Sequence, residues 1–261
     1  MKAGKLIDKK KALKAFKDYV ENYNPDDEKI KLKIEHIQRV SKVAEKIAKS
    51  ENLLDEDVEL AWLIGLLHDI GRFEQIRLYN TFNDGKSINH AEMGIKILFE
   101  EGHIKEFIDD RKYDDLIKKA ILNHNRAKIE PELNEKELLH AKIIRDADKV
   151  DIFYSLTIYS KEAVWESPDL SDEIISDKIY KEFKEDKIIE YKNRVSHADN
   201  LICHFAYVYD FNFKYSLQII YKNNYIDRLY KRHVFKDNKT MKRYNEIYEL
   251  AKKYVKEKAL L

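Results

Sequence analysis

The sequence predicts an all-α protein, and three observations carry that expectation. Glycine and proline are scarce, six and three in 261 residues, too few to punctuate a chain of many short strands. Lysine, glutamate, isoleucine and leucine are abundant, and this composition favours long helices. The tyrosines, isoleucines and phenylalanines that would suit strands locally recur at spacings of three and four more often than two.

Composition narrows the function classes. A hydrophobic fraction of 44% is ordinary for a globular core, and the length suits one large domain or two small ones. With 49 basic against 48 acidic residues the net charge is +1, which gives no reason to expect nucleic-acid or membrane binding. Cys203 is the only cysteine, so an internal disulfide and a Cys-rich zinc module are excluded; in the apolar run Leu201 to Tyr209 it reads as a core thiol. Met1 to Lys11 is Lys-rich without an apolar centre, and no apolar run approaches the ~18 residues that span a bilayer. The expectation is a cytoplasmic protein.

Each helix has its own signal. Lys9 to Asn22 sets Leu13, Phe16 and Val20 against lysines, and Asn24-Pro25-Asp26-Asp27 breaks the chain. The next helix carries Ile30, Ile34, Ile37, Val40, Ala44 and Ile47 as a stripe, with His36 on the flank of Val40 and Val43. Asp55 and Asp57 suit a helix start, and Val58 to Leu67 is apolar on nearly all sides, as a central helix is. Gly71 is expected to take the left-handed conformation that ends it, leaving His68 and Asp69 in the last turn. A loop is expected from Phe73 to Ile88. Its Asp84-Gly85-Lys86-Ser87 is not a phosphate loop, because Asn80 stands where that motif needs glycine.

Asn89 with Glu92 then caps a helix ending at Gly102, with His90 in its first turn. Asp114 to Asn125 places His124 at the end of an apolar face. Asn134 and Glu137 repeat the cap before Leu138 to Ser155, where Asp148 shares a core-facing stripe with Ala141, Ile144, Arg145 and Ile152. An unpaired carboxylate there would cost roughly 3 to 5 kcal/mol, so a metal or Arg145 is expected to satisfy it. Ser167-Pro168-Asp169 reads as a boundary. Ser171 to Phe183, His197 to Tyr221 and Thr240 to Lys258 read as further helices, and the aromatic density from Phe205 to Tyr215 suggests packing onto the first part.

His36, His68, Asp69, His90, His124 and Asp148 form a nitrogen and oxygen ligand set without sulfur, suited to iron, manganese, cobalt, nickel, zinc or magnesium in hydrolytic chemistry. A solitary inward histidine is more often a hydrogen-bonded core residue; it is the ordered row that points to metal. His103 is the fallback ligand, while His140, His197, His204 and His233 read as structural or exposed.

The order His36, then His68-Asp69, then Asp148 within Ala147-Asp148-Lys149 resembles the HD-domain metal-dependent phosphohydrolase superfamily, over roughly residues 26 to 155. The expected organisation is an HD-like helical core with the N-terminal helix over 1–165, and a C-terminal helical extension or subdomain, 166–261, which its aromatic density suggests is packed on the core as part of the same compact unit. It implies that His36, His68, Asp69 and Asp148 ligate one divalent ion; Asp151 is the rival of Asp148, and Asp146 points elsewhere. His90 and His124 resemble the extra histidines of two-metal members, in which the carboxylate at Asp69 bridges both ions.

The implied activity is hydrolysis of a nucleotide or other small phosphate ester by a metal-activated water, with Asp69 as the catalytic carboxylate and one or two divalent ions as cofactor. Arg72 is a candidate phosphate ligand, its alternative being a surface arginine; Arg126 and Lys149 are weaker candidates. The Gly-Tyr-Pro signature of the cyclic-dinucleotide phosphodiesterase branch is missing after His124, where the chain reads Asn125-Arg126-Ala127-Lys128. Nor is there a second catalytic domain of the alarmone synthetase-hydrolase kind. A regulatory module without turnover and a di-iron oxygenase are the competing classes.

Overall fold

In the computed structural model, which describes residues 7–160, 169–185 and 189–261, every regular element is a helix and no strand occurs among the described residues. The chain divides into two units, Met1–Asp148 and Lys149–Leu261.

The first unit begins with α1 (Lys9–Val20), whose N-terminal amides are capped by Asp8 and whose Ala12, Ala15, Phe16 and Tyr19 are buried. Asp27 caps α2 (Glu28–Ser50), and its buried face contains Ile30, His36, Ile37, Val40, Ala44 and Ile47. His36 is therefore on the core side of α2, as the stripe predicts. In α3 (Asp55–Leu67) every residue from Leu60 to Leu67 is buried, which is the packing that an all-round apolar sequence requires. The two helices touch closely at Gly65, where a Cβ would stand 2.6 Å from the Ser41 Cα.

The chain then departs from expectation. Gly71 is not left-handed and does not end α3; it opens α4 (Gly71–Tyr79) after the short turn at 68–70. Its need for glycine is steric instead, since a Cβ would lie 2.2 Å from the His90 carbonyl oxygen and 2.6 Å from the Gly94 amide nitrogen. Residues 73–79 are accordingly helical rather than loop, with Phe73, Gln75 and Ile76 buried, and Asn80 at φ 51° ends the helix. With only two turns, α4 offers too short an apolar repeat to be seen against the glycine that precedes it.

Asn89 caps α5 (His90–Ile95), which runs on through a π-helical turn, Lys96–Glu100. Gly102 at φ +88° closes that stretch. Next come α6 (Ile104–Phe107) and α7 (Asp114–His124). The reciprocal bonds of Asn134 and Glu137, both 2.9 Å, open α8 (Glu135–Ile158). Within the unit α4 packs on α2 and α5, and α7 on α3 and α5.

In the second unit α9 (Asp177–Lys184), α10 (His197–Ala206), α11 (Lys214–Lys222) and α12 (Tyr225–Tyr230) all pack on α13 (Asn238–Leu260). Tyr244 of α13 is fully buried, edge-on to Phe205 at 5.7 Å and Phe235 at 5.1 Å. The helix expected from Ser171 starts only at Asp177, where Ser176 caps it. That expected over His197 to Tyr221 is broken, because Phe211 and Phe213 are extended. Cys203 is a buried core thiol. The expected boundary at Ser167-Pro168 lies outside the described residues, and among those described no helix is long and apolar enough to cross a membrane.

Gly71→Ala should destabilise the protein by about 1–3 kcal/mol or more, because backbone rather than a yielding side chain occupies the Cβ position. Gly85→Ala, facing only the Asn83 side chain at 3.2 Å, is the comparison. Urea midpoints that fall for the first and hold for the second are expected; equal midpoints would show that α4 and α5 can separate freely.

Candidate metal centre

The six sequence-predicted ligands come together in the first unit, carried by five segments: His36 on α2, His68 and Asp69 after α3, His90 opening α5, His124 ending α7, and Asp148 on α8. Ligand atoms of His36, His68 and Asp69, of Asp69, His90 and His124, and of His68, His124 and Asp148 lie within 4.8 Å of one another in each set. All are buried except Asp148, whose side chain is 18% exposed.

Local structure fixes which ring nitrogen each histidine presents. His68 and His124 stand at helix C-termini, where the last carbonyls lack an intrahelical donor. The Nδ1 of His68 lies 2.9 Å from the Gly65 carbonyl, and that of His124 lies 2.6 Å from the Ile121 carbonyl. A carbonyl only accepts, so each Nδ1 carries the hydrogen and donates it. His90 Nδ1 donates to Asp84 Oδ2 at 2.6 Å. All three Nε2 atoms therefore turn a bare lone pair toward the centre.

The consequence is electrostatic. His90 Nε2 and His124 Nε2 are 2.9 Å apart, and with both hydrogens committed elsewhere neither nitrogen can donate to the other. His68 Nε2 is buried without a hydrogen bond. Buried acceptors facing one another and two carboxylates are destabilising unless a cation lies among them, so the donor set fits a divalent ion with nitrogen and oxygen ligands.

Asp69 divides its two oxygens between the histidines. Oδ2 is 3.4 Å from His36 Nε2, 3.6 Å from His68 Nε2 and 2.7 Å from Lys33 Nζ. Oδ1 is 3.2 Å from His90 Nε2, 3.6 Å from His124 Nε2 and 3.6 Å from Arg72 Nε. Asp148 Oδ1 joins the first set, 3.2 Å from His36 Nε2 and 3.8 Å from His68 Nε2.

Burial by itself would raise the Asp69 carboxyl, but Lys33 and the histidines together outweigh it and hold the group well below the usual carboxylate range. Asp148 is held low in the same way, burial being overcome by His36 and His68. Burial pushes His90 down to about 3, with Arg72 adding to the effect. It also lowers His68 despite the neighbouring carboxylates. Asp84 is held down at about 2, its burial being outweighed chiefly by His90 and Arg72. Neutral imidazoles and ionised carboxylates are the states in which these groups bind metal.

Two residues of the centre escape the sequence reading. Lys33 precedes His36 by one helical turn on α2, a spacing that could have flagged it. Asp84 lies in the segment between α4 and α5 and gives no periodic signal. Arg72 is at the centre's edge, but its Nη1 donates to the Gln75 side chain, the Phe82 carbonyl and Asp84, at 2.7, 2.7 and 2.8 Å. Arg126 is exposed and paired with Glu130 at 2.5 Å. Lys149 belongs to the second unit, where it pairs with Asp210, and Asp151 lies there also. Arg145 donates to the carbonyls of Asn123 and Arg126, closing the end of α7 behind His124. His103 pairs with Glu106 on the surface, and His140 pairs with Asp57 at 3.0 Å in the interior.

The lowered histidines set a stability profile for the metal-free protein. In the unfolded chain they titrate near 6.5; folded, His90 does so at about 3. Between those values the unfolded chain binds more protons, so stability rises with pH and is lost as pH falls below about 6.5. Urea midpoints measured with chelator should be level above pH 7 and fall toward pH 5. A midpoint that holds or rises over that interval would contradict the burial of neutral imidazoles.

Residues 34–152 match the family model of the HD domain, a span that contains all six candidate ligands. Neither the curated proteins nor the solved structures gave a match. The family consists mostly of metal-dependent phosphohydrolases, and His68 and Asp69 lie within the matched span. Residues 34–152 of this chain are accordingly an HD domain.

Proposed function

We propose that the protein is a phosphohydrolase that uses two divalent ions to hydrolyse a nucleotide or another small phosphate ester. The observation that supports it most is the division of Asp69: one oxygen faces His36 and His68, the other His90 and His124. One ion would be held by His36, His68, Asp148 and Asp69, and the second by His90, His124 and Asp69. Such ions supply Lewis acidity, neutralising charge on phosphoryl oxygens and lowering the pKa of water toward neutrality.

The chain's own residues set the conditions for that chemistry. Asp69 and Asp148 stay ionised at neutral pH, and the pinned tautomers aim three Nε2 lone pairs without reorganisation. Lys33 is a flexible ammonium at the centre, 5.1 Å from the Phe82 ring centroid, and is suited to receive a phosphoryl oxygen. Arg72, whose Nη1 is committed to the segment after α4, serves chiefly to hold that segment. Arg126 and Lys149 remain secondary candidates for substrate contact, each with an acidic partner to displace.

A screen of nucleotides and phosphomonoesters with Mn²⁺, Co²⁺, Fe²⁺, Ni²⁺, Zn²⁺ and Mg²⁺, run with and without oxygen, tests this reading. Oxygen-independent release of phosphate is expected. Asp69→Ala should lower turnover at least about a hundredfold, since several kcal/mol of transition-state charge stabilisation is removed at 1.36 kcal/mol per factor of ten. Lys33→Met should lower kcat/KM about 10- to 100-fold, the worth of one charged hydrogen bond, with metal content unchanged. Turnover that requires oxygen, or Asp69→Ala retaining wild-type activity, would refute the assignment.

A further inference from the structure

His68 and His124 take their orientation from the backbone, because a helix C-terminus offers carbonyls without donors. His90 cannot do so. It is the first residue of α5, and a helix N-terminus offers N–H groups, which an imidazole Nδ1–H cannot use. An acceptor must be brought to it from another part of the chain, and the segment between α4 and α5 brings Asp84. We infer that Asp84 is a positioning residue: it holds His90 with the hydrogen on Nδ1, so that Nε2 is presented to the second ion of the proposed centre, and it makes that nitrogen a stronger ligand. The inference rests on the two-ion reading for what Nε2 meets, but not for the control of the imidazole.

The bonding of Asp84 is that of a frame. Oδ2 accepts from His90 Nδ1 at 2.6 Å and from Asn125 Nδ2 at 3.3 Å. Oδ1 accepts from Arg72 Nη1 at 2.8 Å and Gln75 Nε2 at 2.9 Å. Four donors occupy the lone-pair directions of one carboxylate, so Asp84 has no free oxygen with which to ligate an ion itself. Gln75, fully buried, also donates to the Ser87 hydroxyl and the Ile88 carbonyl, and Ser87 donates to the Asn83 carbonyl. The segment is thus tied to α4 on both sides of Asp84. A negative acceptor behind an imidazole raises the basicity of the opposite nitrogen, an effect that a neutral carbonyl supplies more weakly. The structure spends a carboxylate on a clustered histidine whose place at a helix N-terminus gives it no carbonyl.

The test uses the full chain, with histidine ¹⁵N shifts of the metal-free protein reporting tautomers and Mn²⁺ titration reporting equivalents and affinities. In the wild type, His90 should be entirely Nδ1–H, and two Mn²⁺ should bind. Asp84→Ala should bring in the Nε2–H form and weaken one equivalent about 10- to 100-fold, the other being unchanged. Asp84→Asn keeps a carbonyl that accepts the Nδ1 hydrogen without the charge. It should retain the tautomer and weaken that equivalent less, and it keeps the proposal testable if Asp84→Ala fails to fold. Gln75→Ala loosens the segment but leaves the acceptor, and should fall short of Asp84→Ala in both readouts. An unchanged tautomer and unchanged affinities in Asp84→Ala would overturn the inference, as would Gln75→Ala reproducing its effects in full. One Mn²⁺ in the wild type would sink the two-ion reading instead, while the tautomer would still decide whether Asp84 controls His90.

Discussion

Asp69 is 3% exposed, and its two carboxylate oxygens face two separate pairs of histidines across the turn that joins α3 to α4. Burying one ionised carboxylate costs several kcal/mol unless cations and donors compensate it. The rest of the first unit can be understood as the compensation. The buried face of α2 brings His36, with Lys33 one turn before it; α5 and α7 bring His90 and His124 from the opposite side. Gly71 lets α4 and α5 approach closely enough for His90 to reach the same carboxylate. A side chain at Gly71 would push α5, and His90 with it, away from the start of α4 beside Asp69.

Helix ends determine how the histidines are used. At the C-termini of α3 and α7 the imidazoles of His68 and His124 turn back onto carbonyls three residues earlier. This satisfies the helix end and fixes the tautomer in a single bond. At the N-terminus of α5 that economy is not available, and the segment after α4 takes up the task through Asp84, Arg72 and Gln75. The short stretch, rich in polar residues, spends its side chains on one another, on α4 and on His90.

Much of this was legible in the sequence, and the limits have physical causes. The stripe of α2, the all-round apolarity of α3 and the Asn134–Glu137 cap of α8 are local patterns, and each element formed where its pattern stands. The six candidate ligands could be picked out because each sits at a helix end or on an apolar face. Gly71 misled because a glycine after an apolar helix ordinarily signals a left-handed cap; its actual reason, the approach of α5, lies nineteen residues downstream at His90. Asp84 was invisible because its partners, Arg72, Gln75, His90 and Asn125, are joined only by the fold. Arg72 stands 3.6 Å from Asp69, but that its Nη1 is committed to the loop is a fact of three-dimensional packing.

The most direct test of the account is the position of metal in crystals of the Mn²⁺-loaded protein, read from anomalous scattering. Two peaks are expected on opposite sides of the Asp69 carboxylate, one against His36, His68 and Asp148 and the other against His90 and His124. A single peak, or none between those residues, would contradict the claim that Asp69 joins two ions.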